Sequence, residues 1–565
     1  MKRLMLVAAA LALVGCAAPA RDTSTAPGAA DQPRQVVSVP GKPLNMALPI
    51  EPAALGSKFS TGRSGLDEYA WLFAAPLVRI DYQGNPSPLL AEEIPSLERG
   101  TWKVLPDGRM ETTYRLRKGV TWHDGTAFTA DDVVFTWGAI VNPELPATDR
   151  TPERSIESME AVDANTVLMR WRETFIFANE YELEPIPKHI LEPLLQRDPQ
   201  SFANATYWSR EWVGLGPYKL ADWVPGAYVK GQAFSGYVLG APKIEEVYVH
   251  VVPDANQAVA RFLAGTLDLS LGSLIRVEEG VTLKEQIEPQ GLGTVVTPPE
   301  GGIRVTDFQW REPLIPPARD VRVRRAMYHS VDRQLMNETL QFGLVQPAHM
   351  VLAPGSPSFG PADAAVTKYP YDVNRATQLL GEAGWTKGSD GILRNAGGER
   401  FDLGVRVTEG TLNNKEAQVM SDFWKAIGIN PEVDLMPRAL QNDQEYRAKF
   451  PGVASSSPMG VDALDRFRSE NIPNDANRWR GGNRGGYSSP TMDRLSKEFF
   501  TTVELAPRTN THVQVLKLIS DDVVTMPWYY QVDVYAIRAG LMGAVPTVPG
   551  QGWTTANAHL LYWER

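Results

Sequence analysis

The feature that most constrains the fold is a short stretch that reads as strand, helix and strand. Residues 247–251 alternate apolar with polar side chains, and residues 267–271 do so again, which is typical of strands. Between them Asp254 stands where a helix N-cap belongs, and Gly265 where the helix should end. We expect three apolar side chains to share the core-facing side of this helix: Val259, Phe262 and Leu263. Strands joined through a helix pair in parallel, so the chain is predicted to be an α/β protein.

A second stretch, Thr113–Trp137, predicts a strand, a turn and a capped helix. Asp124-Gly125 is a turn signal, and Thr129 stands where an N-cap belongs, with two acids in the first helical turn. The buried side of the strand is predicted to carry Met110, Thr112, Tyr114 and Leu116. The core face of the helix is predicted to carry Val133, Val134, Trp137, Ile140 and Val141.

His123 beside Asp124 allows two interpretations. The pair could supply a general base, or the histidine could be a structural residue of the turn. The structural interpretation is favoured, because acid–base chemistry also needs a substrate placed against the ring.

The length and charge of the chain limit the possible architectures and partners. At 565 residues the chain exceeds what one hydrophobic core usually organises, so at least two lobes are expected. The formal net charge is −10, and removing residues 1–15 takes away Lys2 and Arg3 but no acid, which leaves −12. Such a balance argues against nucleic acid or an anionic membrane surface as the partner.

The N-terminal stretch reads as a secretion signal. Lys2 and Arg3 precede the apolar run 4–14, which is too short to span a bilayer. The run ends in Leu-Val-Gly-Cys, which resembles the bacterial lipobox, and Cys16 is the only cysteine of the chain. We therefore expect residues 1–15 to be a lipoprotein signal peptide, Cys16 to carry lipid and residues 16–35 to be a flexible tether. The alternative is an ordinary signal peptide with an incidental cysteine.

Several motifs in order carry a family resemblance. R-K-G-V-x-W-H-D-G-x-x-F-T-A-x-D-V-V-F resembles a signature of the extracytoplasmic solute-binding proteins of ABC importers, in the family that includes the oligopeptide- and dipeptide-binding proteins. Further landmarks similar to that family follow in the expected order: Gly214–Leu220, the strand–helix–strand unit at 247–271, Asp320–Met327, Tyr369–Trp385 and Met526–Val532. The resemblance covers about residues 36–565.

The resemblance implies a two-lobed α/β fold of the periplasmic-binding-protein kind (type II, cluster C-like). Two hinge strands would cross between the lobes near 305–310 and 527–534, and an extra subdomain would be inserted in the first lobe. The implied division is lobe I at 36–77, 209–305 and 528–565, the inserted subdomain at 78–208, and lobe II at 306–527.

The resemblance also implies a function without catalysis or cofactor. The lobes would close on a peptide or small-molecule ligand by hinge motion and deliver it to an ABC permease and ATPase complex of the inner membrane. The protein would be a monomer in the periplasm or on the extracytoplasmic face, anchored through Cys16, with no nucleic-acid partner. The choice between inner and outer membrane stays open.

Candidate ligand-binding residues come from the family positions and from local composition. In the peptide-binding relatives, a carboxylate of the second lobe meets the peptide amine just after a tryptophan; here that tryptophan is missing, and Gly460 and Asp462 stand around the carboxylate's place. Asp462 could serve the amine from a shifted position, or be a capping or surface residue. The full candidate set is Ser60, Thr61, Ser64, Asp67, Met459, Asp462, Arg466, Trp479, Arg480, Arg484, Tyr529 and Tyr530.

One hypothesis on ligand chemistry follows from the basic loop 478–487 in an acidic protein. Guanidinium groups suit a carboxylate or phosphate, so a zwitterionic or anionic ligand would lie between Arg466, Arg480 and Arg484 and the first-lobe hydroxyls. The alternative is a surface loop with incidental charge.

Other protein classes remain as alternatives. An envelope hydrolase would need a nucleophile with a base, but the sequence contains no G-x-S-x-G and no H-E-x-x-H motif. A nickel or haem carrier is possible within the same fold, although the seven histidines show no ligand spacing, and so is a binder of an opine or sugar. A sensor lipoprotein that kept the fold but lost transport is a further alternative.

Overall fold

The computed structural model describes most of the chain beyond its first 40 residues. The described ranges are 41–52, 54–55, 66–80, 85–145, 151–272, 274–311, 316–441, 443–458, 464, 466–544 and 554–564. The signal peptide, Cys16 and the tether lie outside them.

Strands and helices are numbered in chain order. The strands are β1 (Leu44–Leu48), β2 (Val78–Ile80), β3 (Pro86–Pro88), β4 (Trp102–Val104), β5 (Met110–Arg115), β6 (Ile156–Asp163), β7 (Thr166–Trp171), β8 (Tyr218–Val224), β9 (Tyr228–Ala233), β10 (Glu246–Val251), β11 (Leu269–Ser270), β12 (Gly293–Val296), β13 (Pro299–Phe308), β14 (Thr386–Lys387), β15 (Leu393–Arg394), β16 (Asp402–Thr408), β17 (Asn430–Met436), β18 (Val453–Ser456), β19 (Thr525–Val532), β20 (Tyr535–Arg538), β21 (Leu541–Met542) and β22 (Tyr562–Trp563).

The α-helices are α1 (Leu66–Phe73), α2 (Ala130–Val141), α3 (Thr151–Ser155), α4 (Lys188–Arg197), α5 (Pro199–Ala203), α6 (Ala255–Leu263), α7 (Val277–Ile287), α8 (Pro316–Arg319), α9 (Val321–His329), α10 (Arg333–Gln341), α11 (Phe359–Ala365), α12 (Val373–Glu382), α13 (Thr411–Ala426), α14 (Gln444–Ala448), α15 (Pro490–Thr501) and α16 (Leu505–Asp521). Among the described residues, none of these helices combines the length and apolar character that a membrane span requires.

A seven-stranded sheet, with strand order β12-β20-β11-β1-β10-β9-β8, is built around the predicted strand–helix–strand unit. β10 and β11 are both parallel to β1 and lie on either side of it, so the predicted parallel unit is confirmed, with one strand between its two members. The Asp254 carboxylate accepts the Gln257 N–H at 2.9 Å and caps α6 as expected. The assignment of Leu263 to the core face was wrong: α6 buries Ala258 and Phe262, and Leu263 is exposed.

A five-stranded sheet, with strand order β17-β16-β18-β13-β19, organises the second half of the chain. β16 is parallel to β17 and β18, whereas β13 runs antiparallel to its neighbours β18 and β19. The chain enters this sheet from β12 through residues 297–298 and returns to β20 through residues 533–534. The first passage therefore precedes β13 and does not lie at the expected 305–310, where β13 ends.

A four-stranded antiparallel sheet, β4-β5-β7-β6, forms the inserted subdomain together with α2. β5 buries Met110, Thr112 and Tyr114 on one face, which confirms the predicted strand. The helix begins after Thr129 as predicted, and the Asp132 carboxylate accepts the Thr129 N–H at 2.9 Å. Val133 and Ile140 of its predicted core face are fully buried, while the other three side chains are half-buried.

The apolar cores follow the sheets. We call the seven-stranded sheet with its helices the first half, the five-stranded sheet with α8–α16 the second half, and the subdomain within residues 78–208 the insert. The clusters of the first half and the insert each include residues of the other body, and those of the second half are made of its own residues except for Ile176. Val213 packs against the cores of both the insert and the first half, so these two bodies share a continuous contact.

Candidate functional site

The carboxyl ends of the parallel strands in both sheets point toward the two passages between the halves. In the second half, β18 is antiparallel to β13 and ends at Ser456, which pairs with Val305, so the chain leaves β18 in the direction of the start of β13. The Ile303 N–H then donates to the Pro458 carbonyl at 3.2 Å. In the first half, β11 is antiparallel to β20, so its carboxyl end lies where the chain arrives from the second passage. Ligands of open α/β sheets bind outside the carboxyl ends of the strands, so this region is the candidate site.

Polar groups gather at the second passage. The Asp533 N–H donates to the Pro298 carbonyl at 3.1 Å, which ties the two passages together. The Tyr535 hydroxyl donates to the Asp533 carboxylate at 3.3 Å, and burial raises the pKa of Asp533 to about 6. The Ser457 hydroxyl, just beyond β18, donates to the side-chain carbonyl of Gln531 in β19. Hydroxyl, amide and carboxyl groups therefore stand together where the halves meet.

One ion pair joins helices of the two halves. Glu278 in the first turn of α7 and Lys415 in α13 approach to 2.7 Å, and both side chains are more than half exposed. Exposed pairs of this kind contribute about 0–1 kcal/mol. The contact therefore adds little to the cost of separating the halves.

A buried ion pair fastens β13 to α13. The Arg304 guanidinium contacts the Glu416 carboxylate and donates to the Asn413 side-chain carbonyl at 2.8 Å. Glu416 is fully buried and Arg304 nearly so. Sequence reasoning missed this pair, because the partners stand 112 positions apart and neither belongs to a local pattern.

Half of the predicted ligand-binding residues cannot be placed. Five of them lie outside the described residues: Ser60, Thr61, Ser64, Met459 and Asp462. Asp67 belongs to α1, but its side chain is not described. The described chain leaves β18 through Ser457 and Pro458, which directly precede residues 459–463 in the sequence.

Arg466 is neutralised within the second half. Its guanidinium contacts the Asp307 carboxylate and donates to the Ser456 hydroxyl at 3.1 Å, and both charged side chains are only 11% exposed. Arg466 and Arg484 line a common cavity of about 10 Å³, which is room for one water at most. A ligand carboxylate would therefore have to compete with Asp307 for the Arg466 guanidinium.

The basic loop 478–487 lies at the edge of the five-stranded sheet that is remote from the passages. The Trp310 N–H, past the far end of β13, donates to the Gly485 carbonyl at 2.7 Å, and the Arg311 guanidinium donates to the Arg484 carbonyl. Trp479 donates through its indole N–H to Asp475 at 2.9 Å, and Arg480 is exposed. The structure thus brings Arg466 and Arg484 together but does not bring Trp479, Arg480 or Arg484 to the passages.

The two tyrosines of the returning strand are core residues. Tyr529 is fully buried and Tyr530 is 6% exposed, and burial raises the pKa of both phenols. Tyr529 packs in one apolar cluster of the second half and Tyr530 in another. The residue of β19 that contributes a polar group at the passage is Gln531.

His123 has both ring nitrogens occupied by backbone groups. The Gly214 N–H donates to Nδ1 at 3.1 Å, and Nε2 lies 2.9 Å from the Gly216 carbonyl, to which it donates. Burial lowers the pKa of His123 to about 4, so the ring is neutral with its proton on Nε2. A general base needs a free nitrogen, so these contacts favour the structural interpretation of His123.

No group of three or more metal-ligating side chains occurs within the described ranges. The region between the passages therefore offers hydrogen-bonding groups and a buried carboxyl, which suit binding of a polar organic solute.

The comparisons with known proteins agree with this geometry. A family model described as "Bacterial extracellular solute-binding proteins, family 5 Middle" matches residues 85–475. The chain is 26% identical over 555 residues to the oligopeptide-binding protein AppA of Bacillus subtilis, covering 95% of this chain and 94% of that protein.

Two solved structures resemble the protein over nearly its whole length. The oligopeptide-binding protein of Thermus thermophilus complexed with a pentapeptide has a TM-score of 0.77 at 22% identity and covers 92% of this chain and 96% of its own. NikZ of Campylobacter jejuni in complex with Ni(L-His) has a TM-score of 0.76 at 21% identity and covers 93% and 100%. Agreement at this level shows that the backbone fold is shared.

Proposed function

The chain belongs to family 5 of the bacterial extracellular solute-binding proteins, and on that premise we propose that it captures a peptide or a related small solute by closing two lobes around it. The two-lobed α/β fold predicted from the sequence is the fold of its solved relatives. The proteins it resembles are named as binders, which fits a function without catalysis.

The observation that carries the proposal is the pair of passages at 297–298 and 533–534. Only these two connections join the seven-stranded and five-stranded sheets along the described chain. Two adjacent connections allow rotation of one half against the other as a hinge. We therefore draw the lobe boundary at these passages, with the insert attached to the first lobe.

The ligand is held between the carboxyl ends of the two sets of parallel strands. Ser457, Gln531, Asp533 and Tyr535 supply donors and acceptors, and the residues before α1 and after β18, which include Ser60, Thr61, Ser64, Met459 and Asp462, complete the site. A solute that fills this space contacts both lobes only when they are closed, so its binding energy stabilises the closed state. Every polar group that the solute loses to solvent must find a partner there.

Delivery and location follow from the family. The protein works on the extracytoplasmic side and passes its solute to an ABC permease and ATPase complex. Lipid on Cys16 and the tether 16–35 hold the monomeric protein at the membrane, a proposal supported by the lipobox-like sequence Leu13–Cys16.

A metal chelate is the second candidate ligand. The likeness to NikZ with Ni(L-His) supports this alternative. A chelate would bring its own organic ligands, so the protein would need hydrogen-bond partners rather than a cluster of metal-ligating side chains.

Native mass spectrometry of the protein purified without refolding or chelators tests the proposal. We expect a bound solute whose mass is that of a short peptide, and isothermal titration with that peptide should reproduce binding to stripped protein. A bound mass with a metal isotope pattern would favour the chelate. Turnover of peptides or esters, or failure of every co-purified or supplied solute to bind, would contradict capture.

A further inference from the structure

The insert reaches across to the second half through residues 174–181. The Ile176 N–H donates to the Phe500 carbonyl at 3.2 Å, near the end of α15. The Phe177 ring lies edge-on to the Phe500 ring, with centroids 6.2 Å apart. Ile176 is 2% exposed and is buried in the apolar cluster of the second half. The junction therefore buries Ile176 fully and the two phenylalanine rings in part.

The junction belongs to one of the two apolar clusters of the second half. The cluster that contains Ile176 also contains Ile303 and Val305 in the middle of β13, and the Ile303 N–H donates to the Pro458 carbonyl just beyond β18. The same cluster includes Leu495, Phe499 and Val515 of α15 and α16. The insert therefore packs into the cluster that includes the middle of β13, not onto an isolated surface side chain.

The insert is attached firmly to the first half. His123, in the insert, is hydrogen-bonded through both ring nitrogens to Gly214 and Gly216, which precede β8 of the seven-stranded sheet. The Leu55 N–H, between β1 and α1, donates to the Trp208 carbonyl of the insert at 3.0 Å. When the passages flex, the insert must move with the first half. Its contact with α15 must then break.

Charge also acts across the junction. Glu180 of the insert and Arg508 of α16 attract each other, although they do not reach the 4.0 Å of an ion pair. Burial raises the pKa of Glu180 to about 7, and the positive charge of Arg508 opposes that rise. His512, one turn beyond Arg508, is buried and neutral at physiological pH, because its pKa is lowered to about 4. Apolar packing thus outweighs charge in this contact.

We propose that residues 174–181 form a clasp on α15 and α16 that holds the two lobes closed and detaches when they open. This inference rests on the proposed capture by lobe closure. Ile176 and Phe177 lose solvent contact only in the closed state, so their burial favours closure without stabilising either lobe. The clasp makes closure depend on a contact that the solute does not touch, and it slows solute release.

Cross-linking between the lobes tests the clasp. Glu278 and Lys415 contact each other across the halves. In a Glu278→Cys/Lys415→Cys protein, the rate at which a short dimaleimide cross-links the two cysteines therefore reports how often the lobes close. Phe177→Ala should lower the initial rate of the 278–415 cross-link at least threefold in solute-stripped protein, and Phe500→Ala should do the same from the other side. The cross-linking rate of the Phe177→Ala/Phe500→Ala double variant should be no lower than that of either single variant, because both substitutions remove the same contact.

The matched control is Phe342→Ala, a large exposed aromatic residue that directly follows α10 in the second half. It should leave the cross-linking rate unchanged, and circular dichroism should show that all variants are folded. An unchanged rate in both Phe177→Ala and Phe500→Ala would overturn the clasp. Titration of the co-purified solute separates the two proposals. If the Phe177→Ala and Phe500→Ala proteins bind the solute and cross-link at the unchanged rate, the clasp alone is rejected. If the unsubstituted protein does not bind the solute, capture is rejected.

Discussion

At the scale of single residues, buried charges of the second half are matched by partners within it. Arg466, a predicted ligand-binding residue, is matched by Asp307, and Arg304, which the sequence did not suggest, is matched by Glu416. Protonation of His123 would place an N–H on Nδ1 against the Gly214 N–H, so the fold holds the ring neutral. Several predicted functional groups thus serve to hold segments together.

Replacing only one residue of the Arg304–Glu416 pair should destabilise the protein much more than replacing both. Arg304→Met alone leaves a buried carboxylate without its main partner and should cost about 3–5 kcal/mol of unfolding free energy. Arg304→Met/Glu416→Leu should recover most of that loss, because two apolar side chains of similar size replace the pair. Urea unfolding measures both, with the exposed Glu278→Ala as a control expected within about 1 kcal/mol of wild type. A double variant no more stable than the single one would contradict the assignment.

Stability should fall as the pH is lowered from about 6.5 toward 4. Burial lowers the pKa of four histidines to about 4: His123, His349, His512 and His559. In the unfolded protein these histidines take up protons below about pH 6.5, whereas in the folded protein they do not until about pH 4. Protonation therefore does not reduce the free energy of unfolding above about pH 6.5, and it reduces that free energy progressively toward pH 4.

Acids whose pKa is raised by burial oppose this trend. The pKa of Glu180 is raised to about 7, that of Asp533 to about 6, and that of Asp132 in the same direction, so each favours the folded state at low pH and loses that effect as the pH rises through its folded value. Burial also lowers the pKa of His250, so the histidines outnumber these acids and we expect the melting temperature to drop between pH 6.5 and 4.5. Calorimetric scans at fixed ionic strength measure it, and a melting temperature that is flat or rises on acidification would count against buried neutral histidines.

At the scale of elements, local periodicity was sufficient where an element's pattern is complete in itself. β5 and α2 have their predicted faces because alternation and capping are local. The start of β13 was not predicted, because the strand opens with Pro-Glu-Gly-Gly, a sequence typical of a turn, and pairing with β19 holds it in the sheet. Leu263 shows that local pattern alone does not fix which face of a helix is buried. The nine-residue helix α6 has apolar side chains on more than one face, and its packing against neighbouring elements buries Phe262 but not Leu263.

Within the motif at 214–220, the close approach of the backbone to the end of α1 requires glycine at position 216. A Cβ at Gly216 would lie 2.5 Å from the Phe73 carbonyl carbon and 2.6 Å from the Ala74 nitrogen, at the end of α1. Gly216→Ala should therefore destabilise the protein by about 1–3 kcal/mol, since backbone must shift to admit the methyl group. Gly138→Ala, on the exposed side of α2 with nothing within 4 Å, should instead stabilise by roughly 0.5–1 kcal/mol. Denaturant unfolding of the pair checks both signs, and equal effects would contradict the close approach.

At the scale of the whole molecule, the two-lobed fold was predictable from the order of the motifs, whereas the binding site was not. Long-range contacts decide which arginine side chains already have a carboxylate partner. Arg304 and Glu416 are 112 positions apart, and Asp307 and Arg466 are 159 positions apart. Sequence composition records a basic loop at 478–487, but the sheet topology places that loop away from the passages. The groups at the passages, among them Gln531 and Asp533, belong to no local motif.

Closure on a solute is the central claim, and small-angle X-ray scattering tests it most directly. The same preparation is measured with its co-purified solute, after the solute has been stripped, and after it has been added back. We expect the radius of gyration to increase on stripping and to return on addition, because the solute stabilises the closed state through contacts with both lobes. A radius that is unchanged across the three states would contradict capture by lobe closure.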